Sequence, residues 1–341
     1  MPFQITKSDF GPVRTDATEP LTEYLLEHTE TGEFITVLPG YGGVLRRLVL
    51  RKGHDLFALL KTPDSPQALL ADETYACALL VPFPSRIRHG IYTFDGEAYA
   101  LHMNEANRDN AIHGFVHGKR FTVIDETVTD HSARIIIQYM YPGDAPGYPF
   151  PFVLTVSYEL VQGNLLIDTN SENDRMCALR INYELLNSGE TACPAAFGWH
   201  PYFSLTDEPI DEMNLSLPAR TRILLNDNML PDGLSVPEKA DTRSLRELEL
   251  DTPFVLEQPT GIGNSYAETV LTSQTTGVRL IVGQQTGPGK LNYLVCYTPS
   301  KRDSIAIEPL TANVDAFNNG EGLTILQPGE TLSGSMWVRL D

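Results

Sequence analysis

The chain has 341 residues, of which 42% are hydrophobic and 20% charged. These proportions are typical of a globular protein that can bury a sizeable core. Its 25 basic residues stand against 44 acidic ones, which gives a formal net charge of −19. Because nucleic acids and anionic membrane surfaces bind basic patches, this acidity argues against both as partners.

The beginning of the chain lacks the pattern of a secretory signal, and no stretch approaches the roughly 18 apolar residues that a spanning helix needs. The four cysteines have no short paired spacing: Cys77, Cys177, Cys193 and Cys296. The sequence therefore predicts half-buried thiols rather than a zinc site or a disulfide framework. We expect a cytoplasmic protein.

The main pattern along the chain is alternation of apolar and polar residues with a period of two, which is typical of β-strands. It predicts strands over residues 154–160, 165–169, 179–185 and 278–282, and a run rich in Ile and Tyr predicts another over residues 133–141. Residues 21–28 fit either a helix or a strand, and we interpret them as a strand because Thr31-Gly32 and a further β-like run over residues 34–38 follow. A hairpin is predicted over residues 91–101, because Asp95-Gly96 supplies the positive φ of a tight turn. Helical evidence is thin, with one candidate short helix over residues 243–250.

Glycine and proline residues occur throughout the chain. The 26 glycines and 24 prolines are spread through the sequence rather than clustered, so no linker divides it. No internal repeat occurs. We expect one large antiparallel β domain over residues 1–341.

Three segments far apart in the chain each carry one group suited to moving a proton on a sugar. They are Ala-Ile-His-Gly-Phe around His113, Gly-Trp-His-Pro-Tyr-Phe around His200, and Ile-Ala-Ile-Glu-Pro around Glu308. Two imidazoles and one carboxylate among apolar, aromatic or glycine-rich neighbours are the groups that general acid–base catalysis on a neutral substrate requires.

Each of these residues also has an ordinary structural explanation. His200 could be a core histidine that bonds to a backbone carbonyl. His113 could be a loop residue, and the glycine after it could serve only to form a turn. A water-exposed strand end would account for Glu308. The apolar run before Glu308 and Pro309 after it nevertheless predict extended backbone, and partial desolvation there would raise the pKa of the carboxyl group.

In their order and surroundings, the three segments resemble the aldose 1-epimerases (galactose mutarotases). The resemblance extends from about Glu23 to the C-terminus. A Pro-Phe-Pro-Ser-Arg segment ending at Arg86 precedes the histidine motifs, and Asp-Ala-Phe-Asn beginning at Asp315 follows the glutamate. The arginine segment is more similar to a divergent bacterial branch than to well-studied galactose mutarotases, and Leu310 stands where many relatives have glutamine.

The resemblance implies a galactose-mutarotase-like β-supersandwich, an all-β fold of large antiparallel sheets packed face to face, with few short helices. It implies that Glu308 is the base on the C1 hydroxyl of an aldohexose and that His200 is the acid on the ring oxygen. His113 would donate a hydrogen bond near that oxygen, and Arg86 would hold hydroxyl groups. Asp251 is the match to a family aspartate that binds sugar hydroxyls.

The expected ligand is a small sugar, with no metal or other cofactor, and the expected state is a monomer or weak homodimer. His113 and His117 have the spacing of two metal ligands on one helix, but Gly114 and Gly118 argue against a helix there. We therefore predict no zinc site.

Three alternatives lead to other functions. A hexose-6-phosphate 1-epimerase would need basic residues at the mouth of the cleft, for which the candidates are Arg46, Arg47, Arg88 and Lys119. A non-catalytic carbohydrate-binding protein would not require the complete set of two histidines and a glutamate. A glycosidase would need two carboxylates flanking the scissile bond, and the motifs contain only one.

Overall fold

The computed structural model describes residues 1–11, 20–163, 176–205, 209–257 and 265–341; the strand predicted over residues 165–169 lies outside them. In the described residues, nearly all regular structure is β-strand. The helices are α1 (Pro66–Leu70) and α2 (Ala316–Asn319), with one 3₁₀ turn at Ile210–Glu212. Neither described helix has the length or the apolar character that crossing a membrane requires.

The first large sheet contains five antiparallel strands paired in chain order. They are β1 (Phe3–Gly11), β2 (Leu21–His28), β3 (Glu33–Leu38), β4 (Val44–Lys52) and β5 (Asp55–Ala58). The strands predicted over residues 21–28 and 34–38 are confirmed as β2 and β3. Leu26 of β2 and Ile35 of β3 are buried cross-strand partners, and such pairs stabilise a sheet through side-chain packing.

Three two-stranded ribbons accompany the large sheets. They are β7 (Arg86–Arg88) with β10 (Asn110–Ile112), β8 (Ile91–Phe94) with β9 (Glu97–Ala100), and β15 (Cys193–Ala195) with β27 (Thr324–Leu326). The predicted hairpin is confirmed as β8 and β9. Its turn has positive φ at both central residues, 50° at Asp95 and 81° at Gly96, as a tight hairpin of this kind requires.

The second large sheet contains nine antiparallel strands in the order β11-β12-β13-β14-β28-β24-β23-β18-β21. The strands are β11 (Thr122–Val128), β12 (Ser132–Tyr141), β13 (Phe152–Gln162), β14 (Cys177–Asn187), β18 (Met213–Leu217), β21 (Asp241–Ser244), β23 (Ser265–Ser273), β24 (Arg279–Thr286) and β28 (Thr331–Leu340). The strands predicted over residues 133–141, 154–160, 179–185 and 278–282 are confirmed as β12, β13, β14 and β24.

The third large sheet has the strand order β20-β19-β22-β25-β26-β16-β6, and β17 also pairs with β26. Its strands are β6 (Leu79–Leu80), β16 (Gly198–Trp199), β17 (Tyr202–Phe203), β19 (Arg220–Leu225), β20 (Pro231–Glu238), β22 (Asp251–Leu256), β25 (Tyr293–Tyr297) and β26 (Ile305–Leu310). This sheet carries most of the candidate site residues.

All three large sheets contribute to one hydrophobic core. The same cluster of buried residues includes Leu48 of β4, Ile181 of β14 and Phe254 of β22. Burying a side chain of this size contributes about 1.5–3 kcal/mol.

The four cysteines are free thiols, but they are buried, so the prediction that they are half-buried was wrong.

The helix predicted over residues 243–250 was wrong. Residues 241–244 form the edge strand β21, in which Arg243 pairs with Leu215 of β18. The Arg243 side chain binds Asp241 and Glu238 at 2.7 and 2.9 Å, and charged side chains of this kind are common on exposed sheet edges. Beyond the strand, Glu247 has a φ of 58°, which a right-handed helix does not allow.

Candidate active site

His200 and Glu308 face each other because of the way β26 pairs with its neighbours. Gly198 of β16 is the partner of Leu310, and β17 pairs with the other end of β26 in the same register. β16 and β17 are separated by a short break, and both pair with β26 in one register. That register places His200, which lies in the break, opposite Glu308. The side chains meet with His200 Nε2 3.5 Å from Glu308 Oε1.

The position of His200 is determined by its backbone and by one aromatic neighbour. Its N–H donates to the carbonyl of Ala78 at 3.1 Å, and its carbonyl accepts from the N–H of Cys77 at 2.9 Å. The imidazole stacks on the Tyr202 ring, with 5.0 Å between the centroids. Nδ1 is buried and bonds to no other described residue, and Nε2 is the ring nitrogen that faces Glu308.

His113 is oriented by a reciprocal contact with Ser85. The backbone N–H of Ser85 donates to His113 Nδ1 at 3.2 Å, and the N–H of His113 donates to the Ser85 carbonyl at 2.9 Å. Because Nδ1 accepts a hydrogen bond, the proton of the neutral imidazole is assigned to Nε2. His113 therefore presents a donor, with its ring centroid 5.1 Å from that of His200.

The loop after β10 needs a glycine directly behind His113. His113 and Gly114 have φ values of 63° and 67°. A Cβ on Gly114 would lie 2.1 Å from the carbonyl oxygen of Val81, well inside any allowed contact. Glycine permits both the positive φ and the close approach to the Val81 backbone.

Arg86 is held by a carboxylate that sequence analysis did not identify. Its Nε and Nη2 donate to the two oxygens of Glu105 at 2.9–3.1 Å. Glu105 also accepts from Arg108 and Asn110. Burial alone would raise the pKa of Glu105, but the hydrogen bonds and charge of Arg86 outweigh it and hold that pKa below its ordinary value. Arg86 therefore keeps a fixed position, and its Nη1 has no hydrogen-bond partner in the described part of the chain.

All five predicted site residues line one cavity of about 690 Å³: Arg86, His113, His200, Asp251 and Glu308. Asp251 reaches it because β22 pairs with β25, which pairs in turn with β26. Among the described residues, the Asp251 carboxylate has neither a hydrogen-bond partner nor an ion-pair partner. It is therefore available as an acceptor for hydroxyl groups.

Burial shifts the protonation of the facing pair in opposite directions. Glu308 is 3% exposed and His200 5%. Burial, reinforced by the charge of Asp251, raises the pKa of Glu308 well above its ordinary value. Burial lowers the pKa of His200 to about 4, and it lowers the pKa of His113 well below its ordinary value, with a further contribution from His200. Burial thus favours the protonated form of Glu308 and the neutral form of His200.

Further residues of the cavity wall were missed by the sequence analysis. Tyr75 lies with its ring 4.8 Å from that of His113, and its hydroxyl accepts from Asn104 at 2.9 Å. Tyr297 and Asp72 also line the cavity. The polar run over residues 104–110, directly before the first histidine motif, was a signal that could have identified Asn104 and Glu105. Tyr75 had no comparable signal.

No set of His, Cys, Asp and Glu side chains in the described part of the chain is arranged to hold a metal ion. Of the phosphate-binding candidates, Arg46 is paired with Glu23 and lines a different cavity together with Arg47. Arg88 and Lys119 are also absent from the described lining of the cavity that contains His200 and Glu308.

Solved structures identify the class of fold. A galactose mutarotase-like protein from Clostridium acetobutylicum matches with a TM-score of 0.78 and 18% identity, covering 100% of this chain and 99% of the other. The galactose 1-epimerase of Lactobacillus acidophilus matches with a TM-score of 0.76 and 20% identity, covering 99% and 98%. The protein therefore has the all-β, galactose mutarotase-like fold.

The family follows from the sequence match. The aldose 1-epimerase family model matches residues 24–339, and the chain belongs to this family. It is 25% identical to the uncharacterized protein YihR of Escherichia coli K12 over 88% of each chain. It is also 25% identical to the maltose epimerase of Levilactobacillus brevis, over 69% of this chain and 64% of the relative. A galactose mutarotase from Sus scrofa is 26% identical over 52% of this chain.

Proposed function

We propose that the protein is an aldose 1-epimerase that interconverts the α and β anomers of a free aldohexose. The observation that carries the proposal is the buried contact of 3.5 Å between His200 Nε2 and Glu308 Oε1, in a cavity large enough for a sugar. A donor and an acceptor of protons side by side are what opening a hemiacetal ring requires.

The reaction proceeds by ring opening and closure. Glu308 removes the proton from the C1 hydroxyl while His200 delivers a proton to the ring oxygen. The electrons of the O1–H bond form the carbonyl, and the bond between C1 and the ring oxygen breaks. Rotation about C1–C2 exposes the other face of the aldehyde. Ring closure with the two roles reversed then gives the other anomer and returns both protons.

The pair carries one proton throughout this cycle. Before ring opening the proton is on His200 and Glu308 is a carboxylate; after it, Glu308 is protonated and His200 is neutral. The raised pKa of Glu308 and the lowered pKa of His200 favour the second arrangement. The favoured arrangement is thus the one from which ring closure starts, and ring opening requires the proton to move from Glu308 to His200 first.

Three further residues are suited to hold the sugar. His113 would donate from Nε2 near the ring oxygen, and Arg86 would donate from Nη1 to hydroxyl groups. Asp251, which has no partner among the residues that the structure describes, would accept from hydroxyls on the same cavity wall. None of these contacts requires the sugar to be charged.

The charge of the cavity favours a neutral sugar over a hexose 6-phosphate. Its two described guanidinium groups, on Arg86 and Arg108, both bind Glu105. Asp72, Glu73 and Asp251 line the same cavity without a cationic partner among the described residues. A phosphate dianion would be repelled by this surface. The complete and buried acid–base pair also favours catalysis over a purely binding role, since hydroxyl recognition does not need it.

Polarimetry of freshly dissolved α-D-glucose and α-D-galactose tests the proposal. We expect the wild type to accelerate the approach to anomeric equilibrium, and His200→Ala and Glu308→Ala to lower kcat by about 100-fold or more each. Glucose 6-phosphate, measured in parallel, should be at least about tenfold poorer in kcat/KM. Absence of acceleration with both free sugars, or full activity in either variant, would contradict the proposal.

A further inference from the structure

A second cavity of about 810 Å³ adjoins the catalytic one. The two cavities share Leu225, Asp251 and Tyr297 in their walls. Neither His200 nor Glu308 lines the second cavity. The second cavity therefore borders the first at Asp251 and Tyr297 and is separate from the pair of His200 and Glu308.

Aromatic surfaces lead from the catalytic pair to this second cavity. Tyr202 stacks on His200 with 5.0 Å between the ring centroids. Tyr297 meets Tyr202 edge to face at 6.3 Å, and it is partly exposed. Rings of this kind offer large apolar faces with a polar tip, which suits the C–H faces and hydroxyls of a sugar. The second cavity thus begins at an aromatic surface of the type that supports a pyranose ring.

The charges of the second cavity disfavour an anionic occupant. Its two described guanidinium groups are paired with carboxylates, Arg222 with Glu238 at 2.8 Å and Arg302 with Asp211 at 2.9 Å. The remaining polar groups that line it are carboxylates and hydroxyls: Asp232, Glu249, Asp251, Thr252, Thr298 and Ser300. Carboxylates accept hydrogen bonds from hydroxyls and repel anions, so this lining suits a neutral, polyhydroxylated group.

Asp251 lies at the junction of the two cavities. The residue lines both spaces, and its carboxylate has no partner among the described residues. An ionised carboxylate has two oxygens, with room for about four hydrogen bonds. It can therefore accept hydroxyls from a ring on either side.

We propose that the second cavity is a subsite for a second sugar ring, so that the preferred substrate is a reducing disaccharide. Its free aldose end lies at His200 and Glu308, and its second ring lies against Tyr297 beyond Asp251. This inference rests on the proposed aldose 1-epimerase function. It names the substrate class of the same site.

Anomeric exchange measured by NMR at equilibrium tests the subsite without the need for pure anomers. The substrates are glucose, galactose, maltose, lactose and melibiose, which present the second ring through 1,4 or 1,6 linkages. The variants are Ser300→Trp and Asp232→Trp, two exposed positions on different elements that fill the second cavity. Ser235→Trp, an exposed serine that lines neither cavity, is the matched control.

We expect kcat/KM for at least one disaccharide to equal or exceed that for glucose. Each filling variant should lower the ratio of disaccharide to glucose kcat/KM by about tenfold or more, and the control should leave that ratio unchanged. The subsite is overturned if glucose is accelerated but every disaccharide is slower than glucose, or if neither filling variant changes the ratio. If no sugar at all is accelerated, the proposed function itself fails, and the subsite with it.

Discussion

Arg86 and Glu105 form a bidentate ion pair in the wall of the cavity that contains His200 and Glu308, with Nε and Nη2 of the arginine on the two carboxylate oxygens. Pairs of this geometry define direction as well as distance. The same carboxylate accepts from Asn110, which also donates to the carbonyl of Asn228 at 3.2 Å. Glu105 thus positions the arginine and is linked through Asn110 to the backbone of Asn228.

We predict that Glu105→Gln raises KM for a free aldose about tenfold, with a smaller effect on kcat. The amide nitrogen that replaces one oxygen cannot accept from the guanidinium, so Arg86 loses its fixed position. Steady-state polarimetry over a range of sugar concentrations measures both constants. Glu97→Gln, at an exposed position on the hairpin of β8 and β9, is the control, and an unaltered KM in Glu105→Gln would rule out the positioning role.

Gly114→Ala should lower the free energy of unfolding by at least about 2 kcal/mol and impair catalysis. Its Cβ would collide with the Val81 carbonyl, and the shift required to relieve the collision would displace His113. Gly118→Ala is a close control, because Gly118 also has positive φ but its Cβ would meet nothing closer than 3.6 Å. Urea denaturation compares the two variants, and equal losses in both would show that the Val81 contact is unimportant.

The pH profile of kcat/KM should be bell-shaped. The active pair holds one proton; a second proton is gained as the pH falls through the lowered pKa of His200, about 4. The last proton is lost as the pH rises through the raised pKa of Glu308. We therefore expect an acid limb near pH 4 and an alkaline limb above the ordinary range of a glutamate. A profile with its acid limb at the ordinary pKa of histidine would contradict this assignment.

Asp251→Asn should move the alkaline limb of that profile to lower pH. The negative charge of Asp251 contributes to the raised pKa of Glu308, and asparagine removes it while keeping the shape. KM should also rise, because one hydroxyl acceptor becomes an amide. Asp72→Asn provides the contrast: the Asp72 charge raises the pKa of His200, so its removal should move the acid limb downward instead. Identical shifts in both variants would refute the assignment of the two limbs.

The local sequence pattern predicted strands inside the sheets well and the edge strand β21 poorly. The alternation over residues 133–141 predicted β12, because every second side chain of that strand enters the core. Residues 243–250 were wrongly predicted as a helix, since their charged side chains serve an edge strand whose partners lie elsewhere in the chain. The sequence of a strand does not identify the strand that pairs with it.

The residues of the candidate site were likewise predicted only in part. His113, His200 and Glu308 were identified from their motifs, and the structure places them in one cavity with Arg86 and Asp251. Glu105 was missed because it belongs to a polar run that, in sequence, is equally compatible with a solvent-exposed loop. Its importance arises from the bond to Arg86.

The sequence by itself determined the strand-forming segments and the chemical groups at the site, because side-chain periodicity and residue type are local properties of the chain. Only the tertiary structure decided that the pairing of β26 with β16 and β17 sets His200 opposite Glu308. It also decided the burial that raises one pKa and lowers the other. Register and desolvation depend on which distant segments pack together, and that information is present only in the folded chain.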